Sequence, residues 1–213
     1  MKKGDIIISP FKRANLATSS YDLTLGEWFY REQPHSKYHN KIYNIYNKQD
    51  TEYVWGKKPE RAEVAKVVFA KYNFNWAGIA PSDKIILLEP GETILAHTDE
   101  FIGGRNHITT MMKARSSFGR VFISVCKCAG WGDVGYTNRW TMEITNNSTR
   151  YTIPLVVGRR IAQMIFFETG EIVGDDYTKT GKYNVTTDIK KLKKDWKPEM
   201  MLPQLWKDRD IKK

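Results

Sequence analysis

Three observations predict an all-β fold, a sandwich or a distorted barrel. Turn signals recur through the middle of the chain, at Pro90-Gly91, Gly103-Gly104, Gly119, Gly132 to Gly135, Asn146-Asn147, Gly158 and Thr169-Gly170. The segments between them are short and rich in β-branched and aromatic residues, which favour a pleated, half-buried backbone. No long stretch keeps a helical apolar period, which argues against a parallel α/β sheet. A length of 213 residues suits one domain able to bury a sizeable core.

The elements follow in order. Tyr30 to Phe74 is polar and tyrosine-rich (Tyr38, Tyr43, Tyr46, Tyr53) and reads as an excursion, an extra hairpin or an interface element, with a short helix within Glu60 to Ala70. Strands are expected at Val121 to Val125, Trp140 to Thr145, Tyr151 to Val157 and Met164 to Phe167. From Asp188 onward, Leu192, Trp196, Leu202 and Leu205 sit among lysines and predict a helical turn; Pro198 and Pro203 break anything longer. The division is one β domain, 1–187, and a basic C-terminal extension, 188–213.

Composition excludes several classes. No window approaches the roughly 18 apolar residues of a membrane-spanning helix, so no membrane partner is expected. The start, MKKGDIIISPF, lacks a long apolar stretch and a small-residue cleavage site, against a secretory signal. The two cysteines, Cys126 and Cys128, are one residue apart and read as reduced thiols on one face of a strand, which implies a cytoplasmic protein. The formal charge is +10, and the last 26 residues hold nine basic and five acidic side chains. Such a field favours polyanions, nucleic acid or a nucleotide triphosphate; a solvated basic face explains it equally.

Zinc needs three or four protein ligands. Beyond the two cysteines, His35, His39, His97 and His107 show no paired ligand spacing, so no zinc site is expected. Walker A, dinucleotide-binding and nucleophile-elbow patterns are absent. Three segments carry chemistry. Lys113 to Arg120, KARSSFGR, brackets Ser116, Ser117 and a glycine between Arg115 and Arg120, a composition suited to phosphate; an ordinary polar turn with solvated arginines fits the same residues. AGWGDVGY, Ala129 to Tyr136, lets backbone approach a ligand, with Asp133 as acceptor for a sugar hydroxyl and Tyr136 as a flat ring; a capped glycine-rich turn is the alternative. Alternation in RWTMEITNN, Arg139 to Asn147, puts Trp140, Met142 and Ile144 on one face and Thr141, Glu143 and Thr145 on the other. A cavity-facing Glu143 could shuttle protons; a solvent-facing glutamate opposite a lysine is the alternative.

In order along the chain, ISPF from Ile8, SSYDLTLG from Ser19, LEPGETILAHTDE from Leu88, KARSSFGR, AGWGDVGY, TMEITN and IPLVVGRRIAQMIF from Ile153 resemble the dCTP deaminase and dUTPase superfamily, specifically its dCTP deaminases. The likeness spans roughly Ile6 to Tyr183. The Arg-Ser-Ser-x-x-Arg segment at Arg115 to Arg120 and the strand glutamate Glu143 before Asn146 are similar to the deaminase branch. The lysine-rich tail lacks the glycine-rich closing arm of dUTPases. Departures are Val134 where the family commonly has proline, Gly130 and Trp131 where a basic or polar pair is usual, Lys127 near the pyrimidine, and Thr186 for an expected glutamine.

The resemblance implies a dUTPase-type distorted β-barrel or jelly-roll-like fold with short helical segments, and zinc-independent hydrolytic deamination of dCTP to dUTP and ammonia. It implies catalytic roles for Glu143, Ser116, Arg120 and the carbonyl of Ala129, with Arg120 paired to Glu143. Asp133 and Tyr136 would meet the deoxyribose, with Thr141 and Met142 beside Glu143 in the substrate set. Arg115, Ser117, Gln163, Tyr177 and Lys182 would hold the triphosphate, with Mg²⁺ bridging its oxygens. It further implies a homotrimer with sites between subunits, dTTP as a feedback inhibitor, and a location in a bacterial cell or virus-infected host. The alternatives are a dUTPase, a bifunctional enzyme taking dCTP to dUMP, and a non-catalytic nucleotide- or nucleic-acid-binding regulator; nucleic acid is not the expected partner.

Overall fold

The computed structural model describes residues 4–34, 41–72, 76–183 and 186–211, and the strand pairs among them are antiparallel. The elements are β1 (Ile6–Ser9), β2 (Tyr21–Arg31), α1 (Lys48–Trp55), β3 (Glu60–Arg61), β4 (Glu63–Val64), α2 (Ala65–Phe69), β5 (Lys84–Leu88), β6 (Thr93–Gly104), β7 (Ile108–Ala114), α3 (Ser116–Arg120), β8 (Ile123–Ser124), β9 (Trp131–Gly132), β10 (Thr137–Asn146), β11 (Ile153–Val156), β12 (Arg160–Glu168), α4 (Tyr177–Thr180) and α5 (Ile189–Asp195). Three 3₁₀ turns, Arg13–Asn15, Pro198–Met201 and Leu205–Lys207, complete them. One sheet curls into a half-barrel in the order β8-β10-β6-β2-β12-β7-β9, with β1 on β6 and β3 on β2; β11-β5-β4 form a second sheet. The fold class is the mostly-β one expected.

The long strands are the ones whose apolar residues fill the core. Leu23 and Leu25 of β2, Ile94, Ala96 and Ile102 of β6, Met142 and Ile144 of β10, and Ile161 and Met164 of β12 are fully buried in one cluster. β6 is buried almost throughout because it lies between β10 and β2 and carries β1 on its far end. The ladder between β2 and β6 shifts register between Leu25 and Phe29. There an ideal Cβ on Gly26 would stand 1.9 Å from the His97 ring, so only glycine leaves that ring room to pack on β2. His97 then donates from Nδ1 to the Thr98 carbonyl (2.8 Å) and accepts the Trp28 N–H at Nε2 (3.3 Å). Burial pushes its pKa down to about 4, with the nearby Arg139 charge adding to the effect.

Several local expectations change. Val121 to Val125 gives a strand of only two residues, β8, because Phe122 and Cys126 adopt positive φ (68° and 57°). Cys126 and Cys128 are therefore not strand thiols. They flank a left-handed Lys127 (φ 41°) in a tight turn, with Cys126 buried and Cys128 exposed. KARSSFGR is a strand end followed by the helix α3, not a turn. The excursion supplies α1, capped by the Asn47 side chain, which accepts the Gln49 N–H (2.8 Å), and the helix within Glu60 to Ala70 is α2. Tyr38, His35, His39 and Phe74 lie outside the described residues. In the extension, Asp188 caps α5 and accepts the Lys190 N–H (2.8 Å); Pro198 starts a separate 3₁₀ turn. No helix among the described residues is long and apolar enough to cross a membrane.

Candidate active site

Alternation along β10 delivers Glu143 to a cavity of about 410 Å³ while Met142 and Ile144 enter the core. Glu143 pairs across the ladder with Leu95 of β6, and both line the cavity. Its Oε2 is buried with no hydrogen-bond partner among the described residues. Desolvation raises its pKa above the ordinary carboxylate value, opposed by its own backbone N–H and by the Lys127 charge. A buried carboxyl with a raised pKa in a cavity is the kind of group that general acid–base work uses.

The opposite side comes from Ala129 to Tyr136. Gly132 in β9 sits under Trp140: an ideal Cβ there would stand 2.4 Å from the Trp140 ring and 2.5 Å from Thr110 Oγ1. The Trp140 indole N–H is anchored to the Ile102 carbonyl (2.9 Å), so the ring cannot yield easily. Tyr136 meets Trp140 and Tyr177 edge-on, each with ring centroids 5.1 Å apart. The Tyr177 N–H donates to the Val134 carbonyl (2.9 Å), which ties α4 to this turn. Desolvation raises the Tyr136 phenol pKa, so the ring stays neutral. Asp133 is exposed at the rim.

Six residues singled out from the sequence thus share one cavity: Glu143, Ala129, Asp133, Tyr136, Thr141 and Tyr177. Others do not join it. Met142 is 0% exposed in the core, so its side chain cannot meet a ligand there. Arg115 and Gln163 gather instead around Asp22 of β2. Asp22 Oδ2 is 2.8 Å from Arg160 Nη1 and 3.7 Å from Arg115 Nε, and its Oδ1 accepts from Gln163 Nε2 (3.1 Å). Ser116, Ser117 and Arg120 occupy the exposed α3. The pairing of Arg120 with Glu143 is not formed within the chain; among the described residues Arg120 makes no ion pair and lines no part of the Glu143 cavity. Lys182 is held by Asp208 (2.6 Å) beside a neighbouring cavity of about 220 Å³.

Sequence reasoning missed Asp22, although it lies in the quoted SSYDLTLG segment; a lone aspartate between tyrosine and leucine, 5% exposed, needed partners that only the fold supplies. It also missed Trp55, Met201 and Pro203, which reach the cavity from α1 and the extension. No group of three or more His, Cys, Asp or Glu side chains among the described residues is placed to hold a metal.

Comparison with known proteins places the chain in a family. The family model described as dCTP deaminase-like matches residues 1–169. A protein named "dCTP deaminase, dUMP-forming" from Hydrogenobaculum sp. (strain Y04AAS1) is 32% identical over 174 residues, covering 81% of this chain and 78% of the relative. One of the same name from Nanoarchaeum equitans is 27% identical over 187 residues, covering 85% of each. The crystal structure of 2'-deoxycytidine 5'-triphosphate deaminase from Agrobacterium tumefaciens superposes with a TM-score of 0.52 at 15% identity, a likeness of fold; it covers 82% of this chain, which spans 46% of that one. The chain belongs to the dCTP deaminase-like family.

Proposed function

We propose that the protein converts dCTP to dUMP, first deaminating the cytosine and then releasing pyrophosphate. The observation that carries the reading is Glu143, a carboxyl raised in pKa whose Oε2 is left unpartnered in an aromatic cavity, in a chain of this family. Water adds its oxygen to cytosine C4 while Glu143 takes one proton and delivers it to N3. Glu143 then takes the second proton, from the new C4 hydroxyl, and passes it to the amino nitrogen; the C4–N4 bond breaks, the C4 oxygen becomes the carbonyl, and ammonia leaves with a uracil ring behind it. Asp133 at the rim receives the deoxyribose hydroxyl, and the Tyr136 ring against the sugar disfavours a ribose. That discrimination is about tenfold to hundredfold, the worth of 1–3 kcal/mol.

The names of the relatives favour dUMP over dUTP as the final product. In the second step a water activated by Asp133 attacks the α-phosphorus, the bond to the bridging oxygen breaks, and pyrophosphate leaves. Mg²⁺ belongs with the triphosphate as part of the substrate, held by phosphate and water oxygens. Zinc does not suit the thiols present: burial pushes Cys126 up to about 11, and its Sγ contacts the Met112 carbonyl (3.4 Å).

Arg115 and Gln163 around Asp22, and Ser116, Ser117 and Arg120 on α3, are separate from the Glu143 cavity. A homotrimer in which one subunit's α3 completes another's cavity reconciles the two groups. dTTP, as a feedback inhibitor, would compete for the same cavity.

The test is incubation with dCTP, CTP and dUTP separately, with nucleotides resolved by ion-exchange chromatography and ammonia and pyrophosphate assayed. Equimolar dUMP, ammonia and pyrophosphate from dCTP, with CTP much poorer, is the expected result. Accumulating dUTP without pyrophosphate would restrict the enzyme to deamination. Absence of ammonia would overturn the proposal.

A further inference from the structure

We infer that Trp55 and Met201 determine base specificity by receiving the apolar C5–C6 edge of the pyrimidine; this rests on the nucleotide-site reading above. Neither residue belongs to a motif of the site. Trp55 ends α1, inside the excursion, and Met201 lies beyond residue 169, where the family match stops. Both nonetheless line the cavity that holds Glu143. Met201 is 4% exposed and packs with Tyr30 and Leu95, and Trp55 joins the same cluster. Leu95 is the residue directly across the ladder from Glu143. The apolar wall therefore begins next to the catalytic carboxyl.

The wall is fixed in place by contacts on both sides. The Trp196 ring lies 4.7 Å from that of His97 and beneath the Arg139 guanidinium (4.8 Å). The Gln204 N–H donates to the Tyr183 hydroxyl (3.2 Å), and Lys182 pairs with Asp208. Lys48 of α1 reaches the Trp206 ring (5.8 Å), so the excursion and the extension also meet each other.

Cytosine has a polar edge, N3 and the 4-amino group, and an apolar edge, C5 and C6. With the polar edge on Glu143 and the sugar at Asp133 and Tyr136, the apolar edge finds its matching surface in Leu95, Met201 and Trp55. A packed wall penalises extra volume at C5, and shortening it opens room there. One methyl in such a pocket commonly changes affinity by about tenfold or more.

The experiment measures dissociation constants of dCTP and 5-methyl-dCTP by calorimetry, on the whole chain in the Glu143→Gln background, where turnover is slowed by about 10²–10⁴-fold. Met201→Ala and Trp55→Ala are each expected to shift the ratio about tenfold toward 5-methyl-dCTP. Met200→Ala, which lines only the neighbouring cavity, leaves the ratio unchanged. Thermal melts establish that each variant is folded, and Trp55→Ala carries the test if Met201→Ala does not fold. Tight binding of both nucleotides with ratios unchanged within twofold would overturn the inference while leaving the nucleotide-site reading intact. No binding of either nucleotide would overturn both.

Discussion

Replacing Glu143 by glutamine separates the chemistry of this carboxyl from its shape. Its Oε2 has no hydrogen-bond partner among the described residues, so the amide breaks no contact at that atom and nucleotide binding survives. The amide cannot accept and return a proton, and general acid–base catalysis is worth about 10²–10⁴-fold. The expected loss in kcat is of that size, about 2.7–5.4 kcal/mol of transition-state stabilisation. Stability moves the other way. Burial raises the folded-state pKa of Glu143 above its unfolded value. The folded protein therefore holds this proton more tightly, and stability is lost as pH rises through the folded pKa. Glutamine removes that loss, so the variant has the higher Tm at pH 8. The gain vanishes below the ordinary carboxylate range, where both side chains are neutral. Ammonia release at neutral pH and calorimetric melts at pH 8 and about pH 3, below the ordinary carboxylate range, read the two effects. Near wild-type ammonia release, or a Tm penalty at pH 8 equal to that at about pH 3, would contradict this role for Glu143.

Other expectations concern the scaffold and the assembly. Gly132→Ala drives a Cβ into Trp140 and Thr110 and should cost about 1–3 kcal/mol, read as a Tm drop of several degrees together with lost nucleotide affinity; an unchanged Tm would contradict the close approach. If α3 of one subunit completes another's cavity, inactive Glu143→Gln and inactive Arg120→Ala proteins, unfolded and refolded together, regain activity. Equal mixing in a ring leaves about a quarter of sites intact, and no recovery would place the whole site in one chain. For His97, the pKa near 4 in the folded state lies below the ordinary value of 6.5, so the unfolded chain binds more protons between them. Stability should fall as pH drops through that window. His97→Gln should flatten this part of the Tm profile, and an unchanged slope would exclude His97 as its source.

What the sequence made legible was local. The alternation of Trp140 to Thr145 required no tertiary knowledge, and it correctly put Met142 in the core and Glu143 on the other face; naming Met142 as a substrate contact ran against that same alternation. Within Ala129 to Tyr136 the turn Asp133 to Tyr136 was readable because glycine and aspartate carry their own backbone preferences, whereas the strand Trp131–Gly132 was not. KARSSFGR misled because its hydroxyls and glycine favour turns, yet Arg115 in extended conformation leads into one short helical turn. The Cys126 to Cys128 turn was missed because non-glycine residues at positive φ leave no mark in the sequence. Trp55, Met201 and the Asp22 cluster depend on residues far apart in the chain, 138 positions between Asp22 and Arg160 and 146 between Trp55 and Met201, and no periodicity encodes those.

The most direct test of the central claim follows a single turnover. Enzyme in excess over dCTP is quenched at successive times, and dCTP, dUTP, dUMP, ammonia and pyrophosphate are quantified together. Ammonia and dUMP appearing in equal amounts, with pyrophosphate matching them and the Glu143→Gln protein slower by about 10²–10⁴-fold, is the expected result. dCTP returned intact by folded protein that binds it would contradict it, as would pyrophosphate release from dCTP with the amino group still on the ring.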